Sequence, residues 1–237
     1  MIELSVVMPC YEEAENLKLL LPKISASLAG ISPFTEILVV DTQTPHDDTP
    51  KICAQFSGVK YVPRHGGDTY GDAVRTGIAQ SSGKYVVFMD ADGSHNPADI
   101  PALYGEITAS GADIVIGSRY MKGGESDNSF ILRSMSIALN YCYRLVLGLD
   151  VYDVSDSFRI YDGGKLRAIA IRCSNFDVIE EILINLRRKF NDLKIKEIPI
   201  AFTKRLHGKS KRKWVRFIIS YILTLFRLKK LQHKEGV

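Results

Sequence analysis

Two aspartates separated by one residue, Asp90 and Asp92, follow an apolar run at residues 85–89. Two carboxylates at this spacing repel each other unless a cation lies near them. Hard oxygen ligands of this kind suit Mg²⁺ or Mn²⁺ that also bridges a diphosphate. Because ligands bind at the carboxyl ends of the strands in open α/β sheets, the position favours a metal site. A solvated turn that carries two aspartates explains the spacing alone equally well.

Polar and aromatic side chains also follow two earlier apolar runs. Tyr11, Glu12, Glu13 and Glu15 come after the first run, and Asp41 ends the second. An aromatic ring and carboxylates at one sheet edge can stack on a nucleotide base and hydrogen-bond to it. For the glutamates by themselves, charge complementarity with the first turn of a helix is the simpler explanation.

Short apolar, β-branched runs recur in the first half of the chain and predict five strands. They lie at residues 4–8, 36–40, 59–62, 84–89 and 113–116. Segments with helical spacing separate them, which predicts repeated βαβ units and an α/β fold with a mostly parallel sheet flanked by helices. Asn96 and Pro97 predict the N-cap and first turn of a helix after the fourth strand.

The second half of the chain is less regular. Residues 122–129 are rich in Gly, Ser and Asp and predict a mobile loop. Helices are expected at residues 130–147 and 177–190. Strands are expected at residues 157–162 and 194–202, the second with an imperfect alternation around a proline.

The formal charge of +4 is unevenly distributed along the chain. Residues 204–237 carry eleven Lys and Arg against one Glu, whereas residues 1–203 carry twenty against twenty-six acids. Such a basic tail suits an anionic lipid surface, and the acidic body argues against nucleic acid as a partner. The composition, 46% hydrophobic and 24% charged, excludes disorder for most of the chain.

Residues 214–228 are the nearest candidate for a membrane span, but at 1.5 Å per residue they reach only about 22 Å against a ~30 Å hydrocarbon core, so spanning is not expected. We expect this amphipathic segment to lie on a membrane, or to pack on the body or on another subunit. The first residues lack a basic region, so no signal peptide is expected. The four cysteines form no CxxC pair, which indicates a reduced compartment and argues against a zinc site.

Five motifs occur together in the order and spacing of one enzyme family. They read VVMPCYEEAENL at residues 6–17, MDADGSHNP at 89–97, GSRY at 117–120, DVSDSFRIY at 153–161 and RLHGKSK at 205–211. Each motif is weak alone, but together they cover almost the whole chain. The sequence resembles the family 2 glycosyltransferases of the GT-A fold, and among them the dolichyl-phosphate mannose synthase group.

The resemblance implies inverting transfer of a sugar, typically mannose from GDP-mannose, to the phosphate of a polyprenol such as dolichyl phosphate. It implies Mg²⁺ or Mn²⁺ at Asp90, Asp92 and Ser94, with Asp92 also catalytic. The metal would neutralise the charge that builds on the departing nucleoside diphosphate. The family positions that hold the nucleotide match Pro9, Tyr11, Glu13, Asp41 and Asp90.

A lipid phosphate is already anionic, so its attack needs little general-base help but does need cations to hold it. Guanidinium groups and lysine suit phosphate oxygens. The candidates for this cationic cradle are Arg119, Arg133, Arg205 and Lys211. An ordinary salt bridge is the alternative for each of them. Arg159 is equally well explained as a structural partner of Asp153 or Asp156.

One segment departs from the family pattern. After the second strand the family has two consecutive aspartates, whereas this sequence has Asp41 followed by Thr42. Because that segment contacts the nucleoside, the base and the sugar stay open. The metal and diphosphate interpretation does not depend on it.

We expect a glycosyltransferase domain at residues 1–211, with a nucleotide-sugar half at 1–118 and an acceptor half at 119–211, and a basic amphipathic helix at 212–237. The protein would act as a peripheral protein on the cytoplasmic face of a membrane. A membrane partner subunit or a second copy of the chain is left open. A Rossmann oxidoreductase is excluded because no GxGxxG follows the first strand. A nucleotide- or lipid-binding module without enzymatic activity is the remaining alternative.

Overall fold

The computed structural model describes residues 1–207 of the chain. Strands and helices alternate through most of these residues, as the apolar runs predict. The strands are β1 (Leu4–Pro9), β2 (Thr35–Asp41), β3 (Val59–Pro63), β4 (Tyr85–Phe88), β5 (Ile114–Ser118), β6 (Glu125–Ser126), β7 (Arg159–Asp162), β8 (Ile195–Pro199) and β9 (Ala201–Phe202). The α-helices are α1 (Ala14–Ala29), α2 (Thr49–Cys53), α3 (Tyr70–Gln80), α4 (Ile100–Ser110), α5 (Phe130–Leu147), α6 (Gly163–Arg167) and α7 (Val178–Lys189).

Seven strands form one sheet in the order β3-β2-β1-β4-β7-β5-β8. Strands β1 to β4 pair in parallel, and β5 pairs in parallel with β8. Strand β7 lies between β4 and β5 and is antiparallel to both. The predicted α/β fold with a mostly parallel sheet is therefore confirmed, with one reversed strand in its middle.

Helices cover both faces of the sheet and make two cores. Because successive strand residues point to opposite faces, Val7 lies in the core with α3 and α7, whereas Val6 and Met8 lie in the core with α1 and α4. Burial on both faces explains why the strands read as continuous apolar runs.

Side-chain caps begin two of the helical segments near the carboxyl edge. The side chain of Asn96 accepts a hydrogen bond from the amide of Ala98 at 3.1 Å, which confirms the predicted N-cap. A 3₁₀ turn at Pro97–Asp99 follows and leads into α4. Thr69 and Asp72 form a reciprocal capping box at the start of α3.

Two predicted elements differ from the structure. The segment at 122–129, expected to be a mobile loop, contains β6, which pairs in parallel with β9. The strand expected at 194–202 ends as β8 at Pro199 and resumes as β9. The carbonyl of Ile200 accepts from the amide of Glu125, so the chain changes hydrogen-bonding partner at this point.

In the part of the chain that the structure describes, no helix combines the length and the apolar character needed to cross a bilayer. Lys211 and the predicted helix at 212–237 lie outside the described residues.

Candidate active site

The carboxyl ends of β1, β2 and β4 meet at one edge of the sheet. The amide of Cys10 donates to the carbonyl of Val40 at 2.8 Å, and the amide of Met89 donates to the carbonyl of Val7 at 3.1 Å. These bonds continue the parallel ladders to the strand ends. The structure thus brings the first, second and fourth strand ends together, as the sequence predicts.

The acidic motif forms a tight loop immediately after β4. Asp92 Oδ1 accepts from the amide of Ser94 at 2.9 Å and from its hydroxyl at 2.6 Å. Asp90 Oδ1 accepts from the Ser157 hydroxyl at 3.0 Å. Gly93 has a φ of 82°, a value that glycine adopts without strain, and a Cβ there would collide with Leu206.

The chain segment after β9 lies across this loop. The amide of Leu206 donates to the carbonyl of Asp92 at 3.0 Å, and the amide of Thr203 donates to the carbonyl of Ser94 at 2.9 Å. Arg205 lies between these contacts. Its guanidinium is 3.0 Å from Asp92 Oδ2 and 3.4 Å from Glu13 Oε1. Three of the five sequence motifs therefore meet at one cluster of charges.

The ionisation of Glu13 in this cluster is strongly shifted. Burial, together with the nearby charges of Asp92 and Asp90, raises the pKa of Glu13 to about 7, although Asn16 and Arg205 act in the opposite direction. A cation added beside these carboxylates would favour the charged form of Glu13. The site is therefore electrostatically prepared for positive charge.

The predicted nucleotide side of the site lies at the ends of β1 and β2. The ring of Tyr11, 40% exposed, lies 5.5 Å from the ring of His46. Asp41 is buried, which raises its pKa, and it accepts from the amide of Thr42 at 2.8 Å. Pro9 is the last residue of β1 and pairs with Val40. Tyr11, Asp41 and Pro9 thus lie at or just after the carboxyl ends of two neighbouring strands.

The segment that departs from the family pattern folds back on itself. The hydroxyl of Thr42 donates to the carbonyl of Thr44 at 2.7 Å, and the amide of Gln43 donates to Asp68 at 2.8 Å. The second bond ties this segment to the loop at residues 65–69, which contains two glycines and precedes α3. Arg64, which is buried, donates to the carbonyls of Asp68 and Cys10 and holds the same loop against β1.

A cavity of about 460 Å³ opens around the first turn of α1. Its lining includes Glu12, Glu15, Asp47 and Asp48, together with His207. Asp47 accepts from the amide of Ala14 at 2.8 Å, so this carboxylate serves the start of α1. The lining of this cavity is thus mostly acidic.

Arg119 does not lie among exposed cations, as expected for a phosphate cradle, but inside a buried ion cluster. Its guanidinium is 2.7 Å from Asp153 and 2.9 Å from Asp156, and it donates to the Ser155 hydroxyl at 2.9 Å. Burial by itself would raise the pKa of Asp156, but Arg119 and His95 lower it to about 2. These contacts favour the salt-bridge alternative for Arg119.

The other predicted basic residues are distributed differently. Arg133 is exposed on the first turn of α5, and no contact in residues 1–207 joins it to the acidic loop. Arg159 is fully buried and donates to the carbonyls of Asp156 and Val154, each at 2.6 Å. Arg159 is therefore a structural partner of Asp156 through the backbone carbonyl, whereas Arg119 is the ion-pair partner of the Asp153 and Asp156 carboxylates.

Two residues of the site carry no role in the sequence interpretation. His95 is buried directly behind the acidic loop, and Ser157 hydrogen-bonds Asp90. Both lie inside motifs that the sequence already singles out, which is the signal that could have found them. In residues 1–207, no three His, Cys, Asp or Glu side chains form a ready-made metal site.

A mostly parallel sheet flanked by helices, with two carboxylates at its carboxyl edge, defines an α/β protein whose polar side chains gather where ligands bind in open sheets. The model of the family described as glycosyl transferase family 2 matches residues 5–169. The chain belongs to this family.

Two relatives and one solved structure show how far the similarity extends. The chain is 34% identical over 235 residues to dolichol-phosphate mannosyltransferase of Pyrococcus furiosus, covering 97% of this chain and 64% of the relative. It is 32% identical over 218 residues to undecaprenyl-phosphate mannosyltransferase of Micrococcus luteus, covering 86% and 85%. This chain thus spans less than two thirds of the length of the Pyrococcus protein.

The fold resembles glucosyl-3-phosphoglycerate synthase from Mycobacterium tuberculosis, solved in complex with Mn²⁺, UDP and phosphoglyceric acid. The TM-score is 0.74 at 21% identity, over 96% of this chain and 78% of the other. The predicted family and GT-A fold are confirmed by these comparisons.

Proposed function

We propose that the protein is an inverting glycosyltransferase that moves a sugar, mannose from GDP-mannose, to a polyprenyl phosphate. One observation carries the proposal: Glu13, Asp92 and Arg205, from three separate motifs, meet at the carboxyl edge of the sheet. The names of the Pyrococcus and Micrococcus relatives support mannosyl transfer with a polyprenyl phosphate acceptor.

Asp90, Asp92 and Ser94 would hold the divalent ion, Mg²⁺ or Mn²⁺. The donor set fits, because two carboxylates and a hydroxyl are hard oxygen ligands. The contact between Asp92 and the Arg205 guanidinium supports this, since positive charge already stabilises the carboxylate there. The Mn²⁺ in the mycobacterial structure supports the same assignment. When bound, the ion supplies Lewis-acid stabilisation of the leaving diphosphate.

The chain's own residues would bind and orient the two substrates. Tyr11 and Asp41, at the ends of β1 and β2, would contact the nucleoside, with Pro9 and Glu13 beside them. Arg205 would hold the acceptor phosphate, since its side chain is one-third exposed and contacts the carboxylates of Glu13 and Asp92 on the donor side of the site. Arg133 and Lys211 stay predictions for the same phosphate. In this division residues 1–118 bind the donor and residues 119–211 the acceptor.

The acceptor lipid would keep the protein at the cytoplasmic surface of a membrane. Helix α5 supports this, because Ile137, Tyr141 and Leu145 recur every four residues on it and are 45%, 58% and 65% exposed. Such a stripe suits the interface of a bilayer. The segment at 212–237 would add basic residues to the same surface. Equal flotation with liposomes before and after removal of residues 212–237 would contradict that role of the tail.

The transfer assay should offer GDP-mannose and UDP-glucose separately, with a polyprenyl phosphate in detergent and Mn²⁺. We expect sugar transfer from one donor to the lipid, and a loss of at least about 100-fold for Asp92→Asn. Asp150→Asn is the matched control, because the Asp150 side chain is fully exposed and pairs only loosely with Arg144 at 3.6 Å. Nucleotide-sugar binding without turnover on any lipid phosphate would favour a binding module instead.

A further inference from the structure

We propose that His95 is a positioning residue that orients the Asp90–Asp92 loop for the divalent ion and ties this loop to the acceptor half of the protein. The inference rests on the proposed function, because it concerns how that metal site is held in place. His95 itself is out of reach of a ligand, since its side chain is only 1% exposed.

Each ring nitrogen of His95 faces a different part of the protein. The amide of Asp90 donates to Nδ1 at 3.2 Å, and Nε2 lies 3.1 Å from Asp156 Oδ1. A neutral imidazole has one acceptor and one donor nitrogen. Because Nδ1 accepts from the Asp90 amide, the ring proton is assigned to Nε2, where it faces the Asp156 carboxylate.

Two aromatic rings hold the plane of the imidazole. Phe158 stacks on it at 4.9 Å with an interplanar angle of 18°, and Phe202 of β9 meets it edge-on at 5.4 Å. The ring is thus held between the segment before β7 and the segment after β8. A fixed ring plane fixes the direction of the Nδ1 lone pair, and hence the place of the Asp90 amide.

The contacts continue beyond Asp156 to the end of β5. Asp156 Oδ2 lies 2.9 Å from the Arg119 guanidinium, which also contacts Asp153 at 2.7 Å. Ser157 adds a second link to the acidic loop through Asp90 Oδ1. His95 therefore holds the backbone of Asp90, and Ser157 holds its side chain. The buried ion pairs of Arg119 with Asp153 and Asp156 thereby help to hold the proposed metal site in place, although these residues do not touch a substrate.

The antiparallel strand explains why this arrangement can form. Because β7 runs opposite to β4 and β5, its first residue lies at the edge where those strands end. The segment at 153–158 enters β7 and is therefore delivered to the carboxyl edge. A parallel strand in this place would bring its last residues there instead.

Two substitutions of His95 separate its two contacts. In His95→Asn the side-chain oxygen takes the position of Nδ1 and can still accept from the Asp90 amide. In His95→Gln the side-chain amide takes the position of Nε2 and keeps only the Asp156 contact. Mn²⁺ binding in the presence of GDP or UDP, measured by titration calorimetry and by electron paramagnetic resonance, reports the metal site without requiring sugar transfer.

We expect His95→Gln to bind Mn²⁺ at least about 10-fold more weakly than the unchanged protein, and His95→Asn to stay within about 3-fold, because outer contacts of metal ligands change metal affinity by 10- to 100-fold. A merely structural histidine would lower the thermal midpoint in both variants and leave the Mn²⁺ affinity of the folded protein equal. Unchanged affinity in His95→Gln, or equal losses in both variants, would overturn the positioning role.

Asp92→Asn in the same titration distinguishes the two proposals. If this variant also binds Mn²⁺ as tightly as the unchanged protein, the metal site is wrong and the proposed function fails with it. If His95→Gln binds Mn²⁺ as tightly as the unchanged protein but Asp92→Asn does not, the positioning role alone fails. A measurement without substitution covers the case in which His95→Gln does not fold: the ¹⁵N resonances of His95 in the unchanged protein should show an unprotonated Nδ1, and a protonated Nδ1 would overturn the inference.

Discussion

Arg119 and Arg205 each lie beside two carboxylates, yet the two clusters have opposite characters. The Arg119 side chain is 10% exposed and contacts Asp153 and Asp156, which are fully buried. The Arg205 side chain is 33% exposed, and its contacts with Glu13 and Asp92 are longer, at 3.4 and 3.0 Å. Burial makes the first cluster part of the architecture, because no ligand can replace its partners. Exposure leaves the second cluster accessible to a ligand, which in our proposal is a metal ion and a phosphate.

The largest expected effect is the loss of stability in Arg119→Met. The substitution leaves two buried carboxylates without their cation, which costs about 3–5 kcal/mol of the free energy of unfolding. Urea unfolding followed by circular dichroism measures it. The matched variant Arg205→Met should lose less than about 1 kcal/mol, because exposed pairs contribute little. Equal losses in the two variants would remove the distinction between the clusters.

Arg205→Gln tests the open cluster by activity and by metal binding. We expect transfer to polyprenyl phosphate to fall about 100-fold, because the acceptor phosphate loses its cation. The affinity for Mn²⁺ without nucleotide should rise about 3-fold, since the guanidinium no longer competes for Asp92. Arg144→Gln is the control, because Arg144 pairs with exposed Asp150 at 3.6 Å. A fall in both the transfer activity and the affinity for Mn²⁺ would indicate damage to the fold rather than release of the Asp92 carboxylate.

Glu13→Gln sharpens the comparison through pH. Between its ordinary pKa of 4.5 and about 7, the folded protein keeps the Glu13 proton that the unfolded chain releases. The unchanged protein therefore loses stability as the pH rises through this window, and the variant lacks this loss. In metal-free buffer we expect Glu13→Gln to be more stable by about 1–2 kcal/mol at about pH 8, and equal at about pH 4.

Asp156 should show the reverse dependence. Its pKa of about 2 lies below the ordinary value of 3.8, so its contribution to stability is present above pH 3.8 and is lost as the pH falls through 2. Urea unfolding of the unchanged protein and of Glu13→Gln between about pH 2 and pH 8 measures both pH dependences of stability in one series. A stability profile of Glu13→Gln that parallels the unchanged protein would show that Glu13 has an ordinary pKa.

Much of the fold could be predicted because its signals are local. The strand at residues 4–8 and the helix that begins at Ala14 follow from apolar spacing, and the N-cap at Asn96 follows from residue type. The pairing of β6 with β9 was not predictable in this way. It joins segments about 75 residues apart, and each strand has only two residues, too few to show a period.

The candidate site was predictable to the same extent. The position of Asp90 and Asp92 at the sheet edge could be predicted because they follow a buried strand directly, and that of Ser94 because it lies in the same motif; their role at a metal ion stays a prediction. The environment of Arg119 could not be predicted. Its neighbours in the sequence, Gly117–Tyr120, give no indication that the carboxylates 34 and 37 residues further along contact it. A motif identifies the type of residue at a position, but the contacts of that residue decide whether its charge is available to a ligand.

The sequence by itself determined which strand ends carry acids and aromatic rings, since alternating βαβ units send those ends to one edge of a parallel sheet. Only the tertiary structure decided which arginine is free to meet a ligand. The reversed strand β7 brings Asp153 and Asp156 to the carboxyl edge, where they enclose Arg119 and contact His95, whereas the segment after β9 leaves Arg205 partly exposed over Asp92. The direction of one strand, which depends on long-range packing, thus separates the structural cation from the one proposed to hold the acceptor phosphate.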